Sequence, residues 1–188
     1  MSIEYKDKLH ELLSIIQNDS NNMEIVYECL ADINALMTPI LTELDENDFF
    51  LWGLSHYSIP SEPTVNASIK FEKSLQLNPD YLPARLYLGH CHNDKKEWYE
   101  ALEEYLKVDQ EELRDSFDIW IIAKLNEQIG FCYWQINQKD EAMRFFEMLV
   151  NIWVENNEND SFIKPEDMIE CIGIKHKLLE NINISKMI

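Results

Sequence analysis

The chain has 188 residues, 46% of them apolar and 27% charged, which is enough to bury one core in a single domain or a short repeat array. Its four glycines and six prolines are too few for a many-stranded β fold, which needs frequent turns, so helices are favoured. The formal net charge of −19 argues against nucleic acids and anionic membranes as partners, because both are bound through basic patches.

The first 45 residues are predicted to form two helices. Apolar side chains at helical spacing predict one helix over residues 3–17. A second helix carries an apolar face from Ile25 to Met37, and Pro39 then kinks it or opens a short new helix. We expect residues 1–45 to pack against the helices that follow them.

Residues 46–157 are predicted to form three helix pairs. The acidic segment from Asp109 to Asp118 lengthens the connection between the second and third pairs. Residues 158–188 then combine a proline with apolar residues at helical spacing, which predicts a C-terminal helix that caps the array. The predicted pairs are 47–57 with 64–77, 82–93 with 97–109, and 117–136 with 139–156.

A pattern of small and aromatic residues recurs once in each helix pair. Gly89 is followed by Ala101 after twelve residues and by Tyr105 after four more. The other copies begin at Gly130, with Ala142 and Phe146, and at Gly53, with Ala67 and Phe71 after two additional residues. Small residues at such positions let two helices cross at close range, and an aromatic ring fills the space beside the crossing.

This pattern resembles the tetratricopeptide repeat (TPR), and the best copy runs from Leu82 to Asp109. Arg85 and Asn126 depart from the family, which favours tryptophan four residues before the glycine. The resemblance implies an all-α fold, a right-handed superhelix of antiparallel helix hairpins (a TPR-like α-solenoid), with extra N- and C-terminal helices. It also implies a non-catalytic adaptor or scaffold that binds a partner protein or peptide.

In the TPR family, the first helix of each pair lines a concave groove that holds a peptide or a partner helix. A cluster of lysines and asparagines with an arginine grips acidic chaperone tails there, and this chain matches it only at Asn93 and Lys124. The groove is predicted to be open or to be filled by a terminal helix of the chain itself. Its residues, carried over by position, are Phe50, Leu54, Tyr57, Leu86, His90, Asn93, Asp94, Lys124, Glu127, Phe131, Trp134 and Gln135.

A longer run of acidic residues, between residues 97 and 118, provides a second candidate surface. It is interrupted only by Lys107 and Arg114, so it is either a solvated face or a docking surface for a basic partner. A second hypothesis follows from it, an acidic immunity or inhibitor protein that neutralises a basic toxin or nuclease. A chaperone of secreted effectors is a third. The residues of this acidic surface are Glu103, Glu104, Glu111, Glu112 and Asp115.

The sequence offers no arrangement that predicts catalysis, a metal or a cofactor. His90 and His92 lie two residues apart, and such residues point to opposite sides of a helix, whereas helical metal ligands lie three or four apart. No apolar run approaches the ~18 residues of a membrane span, and the start lacks the plan of a secretory signal. We therefore predict a cytoplasmic protein that binds no membrane, with a homo-oligomer through residues 158–188 as an option.

Overall fold

The computed structural model describes residues 4–19, 21–60, 64–116 and 119–156. Every regular element within these ranges is helical, which confirms the predicted all-α fold class. The predicted capping helix over residues 158–188 lies outside the described residues. The helices of the described ranges are α1 (Glu4–Asn18), α2 (Met23–Met37), a 3-10 turn (Thr38–Ile40), α3 (Glu46–Tyr57), α4 (Thr64–Leu77), α5 (Leu82–Asp94), α6 (Trp98–Tyr105), α7 (Gln110–Ser116), α8 (Ile119–Gln135) and α9 (Lys139–Asn156).

One predicted helix boundary is wrong, and one short helix is absent from the prediction; both lie between residues 105 and 116. The helix predicted over 97–109 ends at Tyr105, and a further helix, α7, occupies part of what was predicted as an extension. The Asp109 carboxylate starts α7 by accepting hydrogen bonds from the backbone N–H groups of Glu111 (2.9 Å) and Glu112 (3.1 Å). Leu113 then anchors the helix, because its side chain is only 1% exposed.

The chain divides into two compact units, Met1–Lys96 and Glu97–Ile188. The first unit contains α1 to α5, and the second contains α6 to α9. The division falls inside the second predicted helix pair, since α5 belongs to the first unit and α6 to the second. Only the first and third predicted pairs therefore lie each within one unit. These are the hairpins α3–α4 and α8–α9.

Helices α1 and α2 pack against α3 in the first unit. Apolar residues from all three helices form one buried cluster, in which Leu9, Ile33 and Met37 are fully buried. A hydrogen bond from the Trp52 indole N–H to the Asn34 Oδ1 (2.7 Å) fixes α2 against α3 within this cluster. The N-terminal helices thus pack on α3 through a cluster distinct from the one that contains Ala67 and Phe71 of α4.

A buried carboxylate joins α1 to the start of α3. Asp48 is 1% exposed and accepts hydrogen bonds at Oδ2 from the Tyr5 hydroxyl (2.8 Å) and the Asp45 backbone N–H (3.0 Å). The Lys6 amine forms an ion pair with Asp45 (2.7 Å) and lies 3.5 Å from Asp48 Oδ1. Burial alone would raise the pKa of Asp45. Hydrogen bonds from Lys6 and Asp48 nevertheless hold this pKa below its ordinary value.

The crossing of α3 and α4 has no room for a larger residue at Gly53. A Cβ atom at this position would lie 2.6 Å from Cε1 and 2.7 Å from Cδ1 of Phe71, closer than nonbonded carbon atoms approach. Ala67 and Phe71 are both fully buried. One turn further along α4, the buried Ser74 hydroxyl donates to the backbone carbonyl of Glu46 (2.7 Å).

The second unit repeats this arrangement where α8 crosses α9. A Cβ atom at Gly130 would lie 2.5 Å from Cε1 and 2.8 Å from Cδ1 of Phe146. Ala142 and Phe146 are fully buried, as their counterparts in α4 are. The glycine, alanine and aromatic positions therefore have the structural role that their spacing predicted in both hairpins.

Candidate functional site

The predicted groove residues fall on two surfaces, one in each unit. The α3–α5 face comprises Phe50, Leu54, Tyr57, Leu86, His90, Asn93 and Asp94, which lie on two helices of the first unit. The α8 face comprises Lys124, Glu127, Phe131, Trp134 and Gln135, which all lie on α8 in the second unit.

Aromatic rings bring the α3–α5 face together. Tyr87 of α5 packs edge-to-face against Phe50 (5.6 Å between ring centroids) and against Tyr57 (5.4 Å). Phe71 of α4, the ring that fills the space beside Gly53, lies beneath them and is 5.7 Å from Tyr87. Aromatic pairs at these distances stabilise by about 0.5–1.5 kcal/mol beyond the area they bury. The face is therefore built on the same ring that defines the helix crossing.

The C-terminal ends of α3 and α5 meet at Tyr57. The Tyr57 hydroxyl donates a hydrogen bond to Asp94 Oδ2 (3.0 Å), which joins the last residues of the two helices. The His90 ring stacks on Tyr57 with centroids 6.4 Å apart, and it also contacts Tyr87 edge-on at 5.4 Å. Asp94 is exposed, whereas Tyr57 and His90 are half-buried. An exposed carboxylate thus lies beside partly exposed aromatic rings.

The remaining members of the α3–α5 face differ in exposure. Leu54 and Asn93 are half-buried and contribute to the surface, but Leu86 is only 8% exposed. Leu86 therefore belongs mainly to the packing of the first unit. The prediction placed it on the groove side because of its position in the repeat, and position alone does not report how far neighbouring side chains cover a residue.

The tyrosines of this face stay protonated at neutral pH. Burial, followed by the neighbouring Asp94 carboxylate, raises the pKa of Tyr57 above its ordinary value. Burial likewise raises the pKa of Tyr87. Tyr57 therefore remains a hydrogen-bond donor to Asp94 across the physiological pH range.

The α8 face is engaged mainly within its own unit. Lys124 and Glu127 form an ion pair one helical turn apart, and Glu127 is only 9% exposed. Phe131 packs edge-on against Trp98 of α6, with centroids 5.5 Å apart. Trp134 is half-buried, with the Lys139 amine 3.4 Å from its ring centroid. Gln135 is exposed.

The acidic surface is exposed but partly neutralised. Glu103 is 69% exposed, and its carboxylate lies 2.9 Å from the Lys107 amine. The same amine lies 2.9 Å from Glu104, whose side chain is 15% exposed. Glu111 and Glu112 are exposed in the first turn of α7, where the helix dipole favours negative charge. The side chain of Asp115 lies outside the described residues.

Two tyrosines of the α3–α5 face are absent from the predicted groove residues. Tyr87 contacts Phe50, Tyr57 and His90 from the same side, and Tyr81 contacts Phe50 at 5.8 Å. Neither stands at a groove position of the repeat, so the family pattern did not select them. The three-residue spacing of Tyr87 and His90, which places both on one side of α5, was a usable signal.

The described residues contain no group of three histidine, cysteine or acidic side chains that could hold a metal ion. Cys91 and Cys132 are fully buried in the packing of α5 and α8. Burial raises the pKa of each thiol to about 12. Within the described ranges, no helix has the length and apolar character needed to cross a membrane.

The sequence matches no protein-family model and no curated protein. Two crystal structures of MamA are similar to it. One has a TM-score of 0.55 at 16% identity, over 85% of this chain and 88% of the MamA chain. The other has a TM-score of 0.56 at 16% identity, over 80% of this chain and 90% of the MamA chain. At this identity the likeness shows the fold, an all-α arrangement of TPR-like helix hairpins.

Proposed function

We propose that this protein is a non-catalytic adaptor or scaffold of the cytoplasm that binds another protein or a peptide through the α3–α5 face. One observation carries the proposal: Tyr57, His90 and Asp94 form a partly exposed aromatic and acidic surface on two helices that are packed together. Helix-borne aromatic anchors beside polar groups are typical of peptide-binding surfaces. The TPR-like fold is a second support, because such hairpins commonly present partner-binding helices.

The α3–α5 face is preferred to the α8 face because it joins aromatic rings of two helices to an exposed carboxylate, whereas the α8 residues lie on a single helix. Four of the five α8 residues are engaged within their own unit by an ion pair, ring packing or a covering amine. The α3–α5 face keeps an exposed carboxylate and several half-buried side chains, including Leu54 and Asn93. Binding energy at protein interfaces concentrates on a few such anchors, so a small exposed cluster is sufficient.

Tyr57→Ala is expected to weaken binding of the partner by about tenfold or more, because it removes an aromatic anchor and releases Asp94. The partner would be isolated by affinity purification from the native cells, identified by mass spectrometry and titrated against purified variants. Tyr27→Ala is the matched control, since Tyr27 lies on α2 and is 41% exposed. Equal loss of binding in both variants would contradict the proposed surface.

A second measurement separates binding from folding. Far-UV circular dichroism is expected to show unchanged helicity for Tyr57→Ala, with the loss confined to binding. If helicity falls and binding does not change specifically, Tyr57 is a core residue of the first unit. Trp134→Ala, analysed in the same way, tests whether the α8 face binds the same partner. A client bound to the face as an extended segment would favour a chaperone of secreted effectors.

The exposed carboxylates of α6 and α7 support one alternative, an acidic inhibitor of a basic toxin or nuclease. Such a partner would be steered by charge, and its association would slow steeply as salt rises past the ~10 Å screening length near 0.1 M. Replacing three exposed glutamates of the acidic surface by glutamine is expected to slow association several-fold at low salt. The three positions are Glu103, Glu111 and Glu112.

The matched control for this experiment removes the same charge from exposed positions of the first unit. If both triple variants slow association equally, net charge acts rather than the acidic surface, and the inhibitor hypothesis loses its specific support. An association rate that is insensitive to salt would favour the α3–α5 face. The three control positions are Glu24, Glu28 and Glu72.

A further inference from the structure

We propose that Tyr57, His90 and Asp94 form a subsite for one basic side chain, lysine or arginine, of the bound partner. This inference rests on the proposed function of the α3–α5 face and specifies its ligand chemistry. It assigns Asp94 as the charged contact and the Tyr57 and His90 rings as the surface against which the cation lies. Three features of the structure lead to it.

The first feature is an oriented carboxylate. The Tyr57 hydroxyl donates a hydrogen bond to Asp94 Oδ2 at 3.0 Å, which orients the carboxylate. Asp94 is exposed, so its carboxylate is accessible to a ligand in solution. A carboxylate already held by a neutral donor loses little further conformational freedom when a cation binds. Its hydrogen bond to the cation is charge-assisted, and such bonds are about twice as strong as neutral ones.

The second feature is the meeting of two helix C-termini. Helix α3 ends at Tyr57 and α5 ends at Asp94, and the hydrogen bond between these residues joins the two ends. Each helix C-terminus carries a partial negative charge of roughly half an elementary charge. A cation beside Tyr57 and Asp94 would be attracted by both helix ends as well as by the carboxylate.

The third feature is a cluster of partly exposed aromatic rings at the same position. Tyr57, Tyr87 and His90 have ring centroids 5.4–6.4 Å apart. Lysine and arginine cations are attracted to aromatic faces within about 6 Å of the centroid. The aliphatic part of either side chain would also pack against these rings, so one ligand satisfies the charge and the apolar surface together.

Two lysines of the first unit, Lys95 and Lys96, directly follow Asp94 in the sequence. The Lys95 amine lies 3.4 Å from the Ser68 hydroxyl on α4. Lys96 follows as an exposed residue at positive φ in the turn after α5. The groove positions of the α3–α5 face contain Asp94 but neither lysine nor arginine, so an acidic ligand would be repelled. Charge complementarity therefore selects a basic side chain.

The probe for this subsite is N-acetyl-arginine amide. It is titrated into the full chain, and binding is monitored by NMR. We expect shifts concentrated on Tyr57, His90 and Asp94 that saturate at a dissociation constant on the order of 10 mM. N-acetyl-citrulline amide has almost the same shape without the charge and should shift these signals much less. Equal shifts from both probes, or arginine shifts spread evenly over the acidic residues, would overturn the proposal.

Asp94→Asn tests the charge while preserving an acceptor for the Tyr57 hydroxyl. It is expected to weaken arginine-probe binding about tenfold, whereas Asp80→Asn, which removes the same charge from an exposed turn residue, should change it less than twofold. Tyr57→Phe keeps the ring but removes the hydroxyl that orients Asp94, so an intermediate loss is expected. Unchanged binding in Asp94→Asn would refute the subsite.

Partner binding separates this inference from the proposed function. If Tyr57→Ala abolishes binding of the captured partner but Asp94→Asn leaves it intact, the α3–α5 face binds its partner and the basic-side-chain subsite is wrong. If neither variant affects the partner, the proposed function itself fails. Loss of binding in both, with Asp80→Asn unaffected, supports both proposals.

Discussion

Gly53→Ala is expected to lower the free energy of unfolding of the first unit by about 2 kcal/mol. The added Cβ atom would lie 2.6 Å from Phe71 Cε1, and overpacking of a filled core typically costs about 1–3 kcal/mol. Alanine is a better helix former than glycine by about 1 kcal/mol, so helix propensity alone predicts that Gly53→Ala raises the free energy of unfolding. We expect the clash to prevail, because Phe71 is fully buried among Phe50, Tyr57 and Tyr87 and cannot turn aside.

A double-mutant cycle with Phe71→Leu isolates this contact. The smaller side chain should accept the new methyl group, so the cost of Gly53→Ala is expected to shrink by at least about 1 kcal/mol in that background. Chemical denaturation gives the free energies, and amide hydrogen exchange in α3 and α4 localises the effect. Gly130→Ala with Phe146→Leu repeats the cycle in the second unit. Stabilisation by Gly53→Ala would contradict the close crossing.

The helix hairpins could be predicted because their signal is local and repeated. Glycine, alanine and an aromatic residue recur at nearly constant spacing, and steric exclusion at the crossing makes this spacing necessary. The bounds predicted for 64–77 and 139–156 match α4 and α9. Each copy adds the same information, so the architecture can be inferred even though no single copy is decisive.

Helix α7 could not be predicted from the same kind of signal. It is seven residues long, and Leu113 is its one buried apolar side chain among acidic neighbours. A single apolar residue defines no period, so neither a helical nor an extended pattern is visible. The helix depends on Asp109 as its cap and on a tertiary contact of Leu113, and a tertiary contact is not encoded in local spacing.

The contacts within the α3–α5 face could be predicted only in part. Repeat position identified Phe50, Tyr57 and His90, which the structure brings together. It did not identify Tyr87, because Tyr87 stands at no groove position of the repeat, although its three-residue spacing from His90 places both on one side of α5. The hydrogen bond between Tyr57 and Asp94 spans 37 residues of sequence, and only the packing of α3 against α5 makes it visible.

Asp48→Ala is expected to lower the free energy of unfolding of the first unit by about 2–4 kcal/mol. The substitution leaves the half-buried Tyr5 hydroxyl without its acceptor and removes one side of the capping box that begins α3. It also leaves Lys6 with Asp45 as its one remaining acidic neighbour in the network. Tyr5→Phe removes a single hydrogen bond from the same network and should cost only about 1 kcal/mol.

Hydrogen exchange distinguishes the two roles of this carboxylate. If Asp48 holds α1 to α3, protection of the α1 amides should fall further than protection of α4 in Asp48→Ala. Glu24→Ala is the matched control, because Glu24 is an exposed acid in the first turn of α2. Full protection of α1 in Asp48→Ala, with loss only at the start of α3, would show that Asp48 acts as a helix cap alone. The apolar cluster around Leu9 and Ile33 would then hold α1 in place without the buried charge.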